Sequence, residues 1–179
     1  MPFLARSTLL LATLLSVSGC GIFGSGSDEK LRPICPSLSL LADASDVTRY
    51  RGASRDLTEI VLDARIVAVP AQCIRDSRNV VKTTMQVRTS VTRGPGATGR
   101  QAAVTYVVTV LDDDRILDQQ DYTIQANFPS NVDRLDLTGE PIRLLFPVSA
   151  QKQASAYKIV VGLRLSPAEL EENRRRGPR

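Results

Sequence analysis

Histidine and tryptophan are both missing from this chain of 179 residues. Without histidine there is no Ser-His-Asp triad, no Cys-His pair and no imidazole-rich metal site. The commonest catalytic chemistries are thereby closed, and no metal or cofactor is expected. Aromatics are scarce, with four Tyr and four Phe, too few for a surface on which bases stack. The formal charge of +4 is too mild to argue for nucleic acid, so no nucleic-acid partner is expected. Cysteine is limited to Cys20, Cys35 and Cys73, and no CxxC motif marks a redox pair. The apolar stretch near the N-terminus is bounded by Pro2, Arg6 and Gly19. It falls well short of the roughly 20 residues that span a bilayer.

That stretch has instead the three parts of a secretory signal. Arg6 supplies the positive start, residues 9–17 (LLLATLLSV) the apolar core, and Ser16, Ser18 and Gly19 the small residues before a cleavage site. It ends in Val17-Ser18-Gly19-Cys20. This tetrad resembles the lipobox of bacterial lipoproteins, in which an aliphatic residue and two small ones precede a cysteine. The resemblance implies that residues 1–19 are removed and that Cys20 becomes a lipidated N-terminus, carrying diacylglycerol and usually a third acyl chain. Buried chain contributes about 0.8 kcal/mol per CH₂, and two chains already hold a protein on a membrane. Gly21 follows, where an aspartate would retain many family members in the inner membrane. The resemblance therefore implies the outer membrane, facing the periplasm. Residues 20–33 (CGIFGSGSDEKLRP) are rich in Gly, Ser and charge and read as a flexible tether.

With Cys20 lipidated, Cys35 and Cys73 are an even remainder in an oxidising compartment, where a disulfide is the default. It would close a loop of about 38 residues and contribute roughly 4 kcal/mol on the chain-entropy model.

Period-two alternation then dominates residues 34–166. Leu38 and Leu40 mark a short first strand, and residues 58–69 a second with Ile60, Leu62, Ala64 and Ile66 on one face. The third is the clearest, with Val81, Thr83, Met85, Val87, Thr89 and Val91 alternating with polar residues. Val104, Tyr106, Val108 and Val110 make the fourth. Asp112, Asp113 and Asp114 turn the chain into Ile116 and Leu117, then Tyr122, Ile124, Ala126 and Phe128. Ile142, Leu144 and Phe146 form the sixth, and Tyr157, Ile159, Val161, Leu163 and Leu165 the seventh. One wet and one buried face on each is the mark of antiparallel sheets. The expected fold is all-β: a single antiparallel β-sandwich of about seven strands, immunoglobulin- or fibronectin-III-like in architecture. The Cys35–Cys73 spacing would tie the first strand to the end of the second, not the usual inter-sheet pair. Beyond the lipobox, the chain resembles proteobacterial envelope lipoproteins with a small β-sandwich, which transfers no functional residue.

Residues 167–179 read as a short helix and basic tail. Ser166 is placed to cap it, Pro167 to open it and Glu169 to complete a capping box. Arg174, Arg175 and Arg176 complement the dipole at its end, and Gly177-Pro178 terminates it. These arginines, with Arg179, are either a solvated helix end or a contact for lipid phosphates or an acidic partner. Residues 93–100 (RGPGATGR) read mainly as a flexible inter-strand loop. Alternatively their amides, with Arg93 and Arg100, cradle an anion, although the Lys-Ser/Thr of a P-loop is missing. The 112–114 aspartates lack the Gly and Glu of an EF-hand, and read as a tight turn. Asp133 and Asp136 are placed in a second acidic loop.

The function expected is a membrane-anchored, non-enzymatic structural or adaptor protein for another envelope component, with exposed sheet edges as a contact mode. Two alternatives stand beside it: a carrier of lipid or a small hydrophobic ligand between the sheets, and a carboxylate-dependent hydrolase with converging acids of raised pKa.

Overall fold

The computed structural model describes residues 35–177. The signal segment, Cys20, the tether and Arg179 lie outside the described residues. Eleven strands and one helix follow in chain order. They are β1 (Ser37–Leu40), β2 (Asp46–Tyr50), β3 (Ile60–Ala68), β4 (Ala71–Ser77), β5 (Val80–Met85) and β6 (Arg88–Arg93). Then come β7 (Gln101–Asp112), β8 (Arg115–Asn127), β9 (Arg134–Thr138), β10 (Ile142–Pro147), β11 (Tyr157–Leu163) and α1 (Pro167–Arg176).

One layer has the order β1-β11-β7-β8. It is antiparallel except where β1 runs parallel to β11. The other layer consists of two ladders, β2-β3-β6-β9 and β4-β5-β10, that meet end to end. Ala68 of β3 faces Arg88 of β6, and three residues on Ala71 of β4 faces Met85 of β5. Across the junction the Gln86 amide donates to the Pro70 carbonyl at 3.1 Å, and the Gly139 amide to the Val87 carbonyl at 2.9 Å. Pro70 has no N–H to give a ladder, so regular pairing breaks there and three long strands bend together. The alternating run 81–91 is thus one bent strand, β5 and β6. Its expected inward face, Val81, Thr83, Met85, Val87, Thr89 and Val91, is buried throughout.

The seven expected strands are all present, but the count of seven is too low. β2, β4 and β9 were not anticipated. Most of β4 is exposed, so burial leaves no alternation in its sequence to read. In β2 only Asp46 and Val47 are buried. In β9, Leu135 and Leu137 are half-buried, which moves Asp136 from a loop into a strand.

The core is continuous between the layers. Leu62, Ala64, Ile66 and Val91 meet Val104, Tyr106, Val108, Ile159 and Val161 in one cluster. The two flanks of the sandwich differ. On one, where β1, β2 and β4 are the outer strands, a disulfide and a helix tie the chain down. The disulfide Cys35–Cys73, Cα–Cα 5.9 Å, joins the residues ahead of β1 to β4. It therefore links the two layers, contrary to the expectation, because Cys73 lies on an unforeseen strand. At the other end α1 covers β2. On the opposite flank β8 and the β9–β10 strand are both unpaired edges.

Candidate interaction edge

The arginines singled out in the sequence are largely occupied by the fold. Arg93 donates to the Gly99 and Ala97 carbonyls at 2.7 and 2.8 Å and lies 3.5 Å from Asp133. Arg100 donates to the carbonyls of Phe128, Pro129 and Val132 and to Asp133. Both guanidinium groups clasp two crossing loops, 94–100 and 128–133, to each other. The 93–100 segment is also pinned from below: a Cβ on Gly94 would collide with Ile60, and one on Gly96 would sit 2.7 Å from the Glu59 carbonyl. Glycine here permits a close approach of two backbones.

The C-terminal arginines hold α1 on the sandwich. The Ser166–Glu169 capping box forms as expected. Arg49 then donates to Glu169 at 3.0 Å. Burial alone would raise the Glu169 carboxyl, but the Ser166 amide and Arg49 together hold it below its ordinary value. Arg174 reaches Asp43 at 3.2 Å and Arg175 pairs with Glu172. Arg176 donates to Asp46 at 2.7 Å and to Asn173 at 2.8 Å. Asn173, only 5% exposed, donates to the Asp43 and Asp46 carbonyls at 2.8 and 2.7 Å. The sequence reading missed this residue, since nothing distinguishes its amide from any solvated one. Between α1 and β2 lies a hollow of about 320 Å³ lined by Arg49, Tyr50, Arg55, Glu169 and Glu172. Its acids already face its cations.

The 112–114 aspartates make the turn between β7 and β8, with Asp113 in the left-handed region at φ 52°. The Lys152 ammonium, hydrogen-bonded to Asp112, holds that carboxyl below its ordinary value. Among the described residues no three His, Cys, Asp or Glu gather as a metal site, and no helix is long and apolar enough to cross a membrane.

What remains open is the β8 flank. Ile124 and Ala126 of β8 point into the core, and Tyr122, on the same face, stacks on Tyr106 with ring centroids 5.5 Å apart. By strict alternation Gln120 and Asp118 continue that face, yet both are exposed. The opposite layer no longer covers them. Residues 115–121 are in fact exposed on both faces. Ile116 is 56% and Leu117 44% exposed, and Leu117 is the extra residue where the register with β7 shifts. Asp112 bonded to Lys152, and Phe146 against Tyr157 at 5.2 Å, place this end of the β7–β8 hairpin by the C-terminal end of β10. Every second residue of such an edge strand turns its N–H and C=O to solvent, ready to pair with another strand. The sequence carried a signal for it: alternation fails at Asp118-Gln119-Gln120-Asp121, all polar, as in a strand wet on both faces.

Comparison with known protein families, with curated proteins and with solved structures finds no match.

Proposed function

We propose that this protein is a lipid-anchored bacterial envelope lipoprotein that acts as a non-enzymatic adaptor, gripping an extended segment of another envelope protein. Its place is the outer membrane, facing the periplasm, with Cys20 as the anchor and residues 21–33 as the tether. The lipobox supports the location. The adaptor role rests on one observation above others: the two flanks of the sandwich are treated differently. Both end in outer strands without a ladder partner, but one is stapled by a disulfide and capped by a helix, while the other has neither beside exposed Ile116 and Leu117. Natural sheets usually blunt such edges, so a 13-residue edge strand with no helix over it fits β-augmentation by a partner.

In-cell crosslinking of the full-length protein, followed by membrane purification and mass spectrometry, tests this reading. The adaptor reading predicts one reproducible protein partner. Capture of lipid or small molecules alone, without protein, would overturn it in favour of a carrier. The anchor is tested separately by metabolic labelling with palmitate, which Cys20→Ser should abolish.

A further inference from the structure

Five carboxylates gather along the hairpin end and exposed half of β8: Asp112, Asp113, Asp114, Asp118 and Asp121. Two are neutralised. Asp112 pairs with Lys152 and Arg115, and Asp121 takes a two-pronged bond from Arg164 at 2.7 and 2.6 Å. Asp113, Asp114 and Asp118 make no ion pair with any described residue. The edge is thus locally acidic on a chain whose formal charge is +4. Lys and Pro, frequent guards of an open edge, occur nowhere in β8, and its guards, Arg115 and the bulge at Leu117, are confined to the hairpin end.

We propose, building on the adaptor reading, that the β8 edge takes a basic extended segment of a separate protein. That segment adds as a strand beside residues 118–125 and sets Lys or Arg against Asp118. Its backbone fills the outward N–H and C=O groups of β8, and at Gln119 it displaces the Asp118 carboxylate, which accepts from that N–H at 2.8 Å. Its basic side chains supply the countercharge that Asp118 lacks. Opposite charges directly across a ladder stabilise the pairing and like charges oppose it. For that reason the occupant is not a second copy of this chain, whose own β8 would bring the same acids to the seam. The register shift at Leu117 sets one end of the added strand, because the ladder cannot run regularly through the extra residue.

The test uses the full-length protein in nonionic detergent and three synthetic eight-residue peptides. One alternates Lys with Val, one alternates Glu with Val, and the third is the Lys peptide with alternate backbone nitrogens methylated. Binding is read by fluorescence anisotropy, and its position by hydrogen exchange. The Lys peptide should bind at least tenfold tighter than the Glu peptide and slow exchange of β8 amides. Methylation should abolish binding, since it removes the ladder. Asp118→Lys should lower affinity for the Lys peptide at least fivefold and raise it for the Glu peptide, with exchange in β3, β7 and β11 unchanged as proof of folding. Equal binding of the Lys and Glu peptides would overturn the proposal. So would undiminished binding of the methylated peptide, protection away from β8, or concentration-dependent dimers with no peptide bound. A protein captured in cells alongside failed peptides would overturn this edge chemistry and leave the adaptor reading standing. Peptide binding with no protein captured would do the reverse.

Discussion

Asn173 donates to two backbone carbonyls, those of Asp43 and Asp46, the first bond partly buried and the second buried. Truncating it leaves both acceptors without that donor, and an orphaned buried polar group costs about 1–3 kcal/mol. Asn173→Ala should therefore lower the stability measured by denaturant unfolding by that amount. The loss should appear first as faster hydrogen exchange in α1. Glycine positions make a sharper contrast. A Cβ on Gly94 meets the Ile60 backbone and side chain, whereas one on Gly52 meets nothing within 4 Å. Gly94→Ala should cost about 1–3 kcal/mol as overpacking, and Gly52→Ala should be neutral or slightly stabilising. Equal effects from the two substitutions would show that the 93–100 loop is not pinned as described. Neither Asn173 nor Gly94 announces its constraint in the sequence, because what each meets is a backbone far along the chain.

The helix is the element whose attachment responds to acid. The Glu169 carboxyl is held below its ordinary value of 4.5, so its charged form is the one that the folded state favours. Its contribution is present above 4.5 and is lost as pH falls through the lowered folded value. Acidification below about pH 4.5 should then loosen α1 before the sheets, read as selective loss of exchange protection in α1. Loss of α1 protection no earlier than that of the sheets as pH falls would contradict the role given to Glu169 and Arg49. This helix and its capping box were legible in the sequence, because Ser-Pro-Ala-Glu is a local signal. So were the inward faces of β3, β5, β6, β7 and β11, because along most of each the sequence alternates large apolar residues with polar or small ones. β4 was not, since nearly all of it is exposed and it is held by pairing with β5 and by Cys73. The long strands hid their bends for a similar reason: alternation runs unbroken through Gln86 and Val87 while the ladder does not. Reduction of Cys35–Cys73 should cost roughly 4 kcal/mol on the chain-entropy model and should free the start of β1 and β4 to exchange first. Non-reducing mass spectrometry that found two free thiols would remove this staple from the account.

At the scale of the molecule, the two flanks of the sandwich differ in how they are held. One carries the disulfide and α1, and the chain enters the described fold there, at Cys35. The open flank keeps β8 free to pair. The exposed edge was legible only through the polar stretch 118–121, whose meaning depended on which layer ends beneath it. Of the arginines that drew attention as charge clusters, Arg93, Arg100, Arg174 and Arg176 pair with distant parts of the fold, which a sequence cannot disclose without the carbonyls and acids they meet. The most direct test places a photo-crosslinking amino acid at Gln119, on the β8 edge, and in a second strain at Glu171 on α1, in full-length protein in living cells. The account predicts that Gln119 captures one reproducible protein and that Glu171 does not. Capture from Glu171 alone, or equal capture from both, would contradict it.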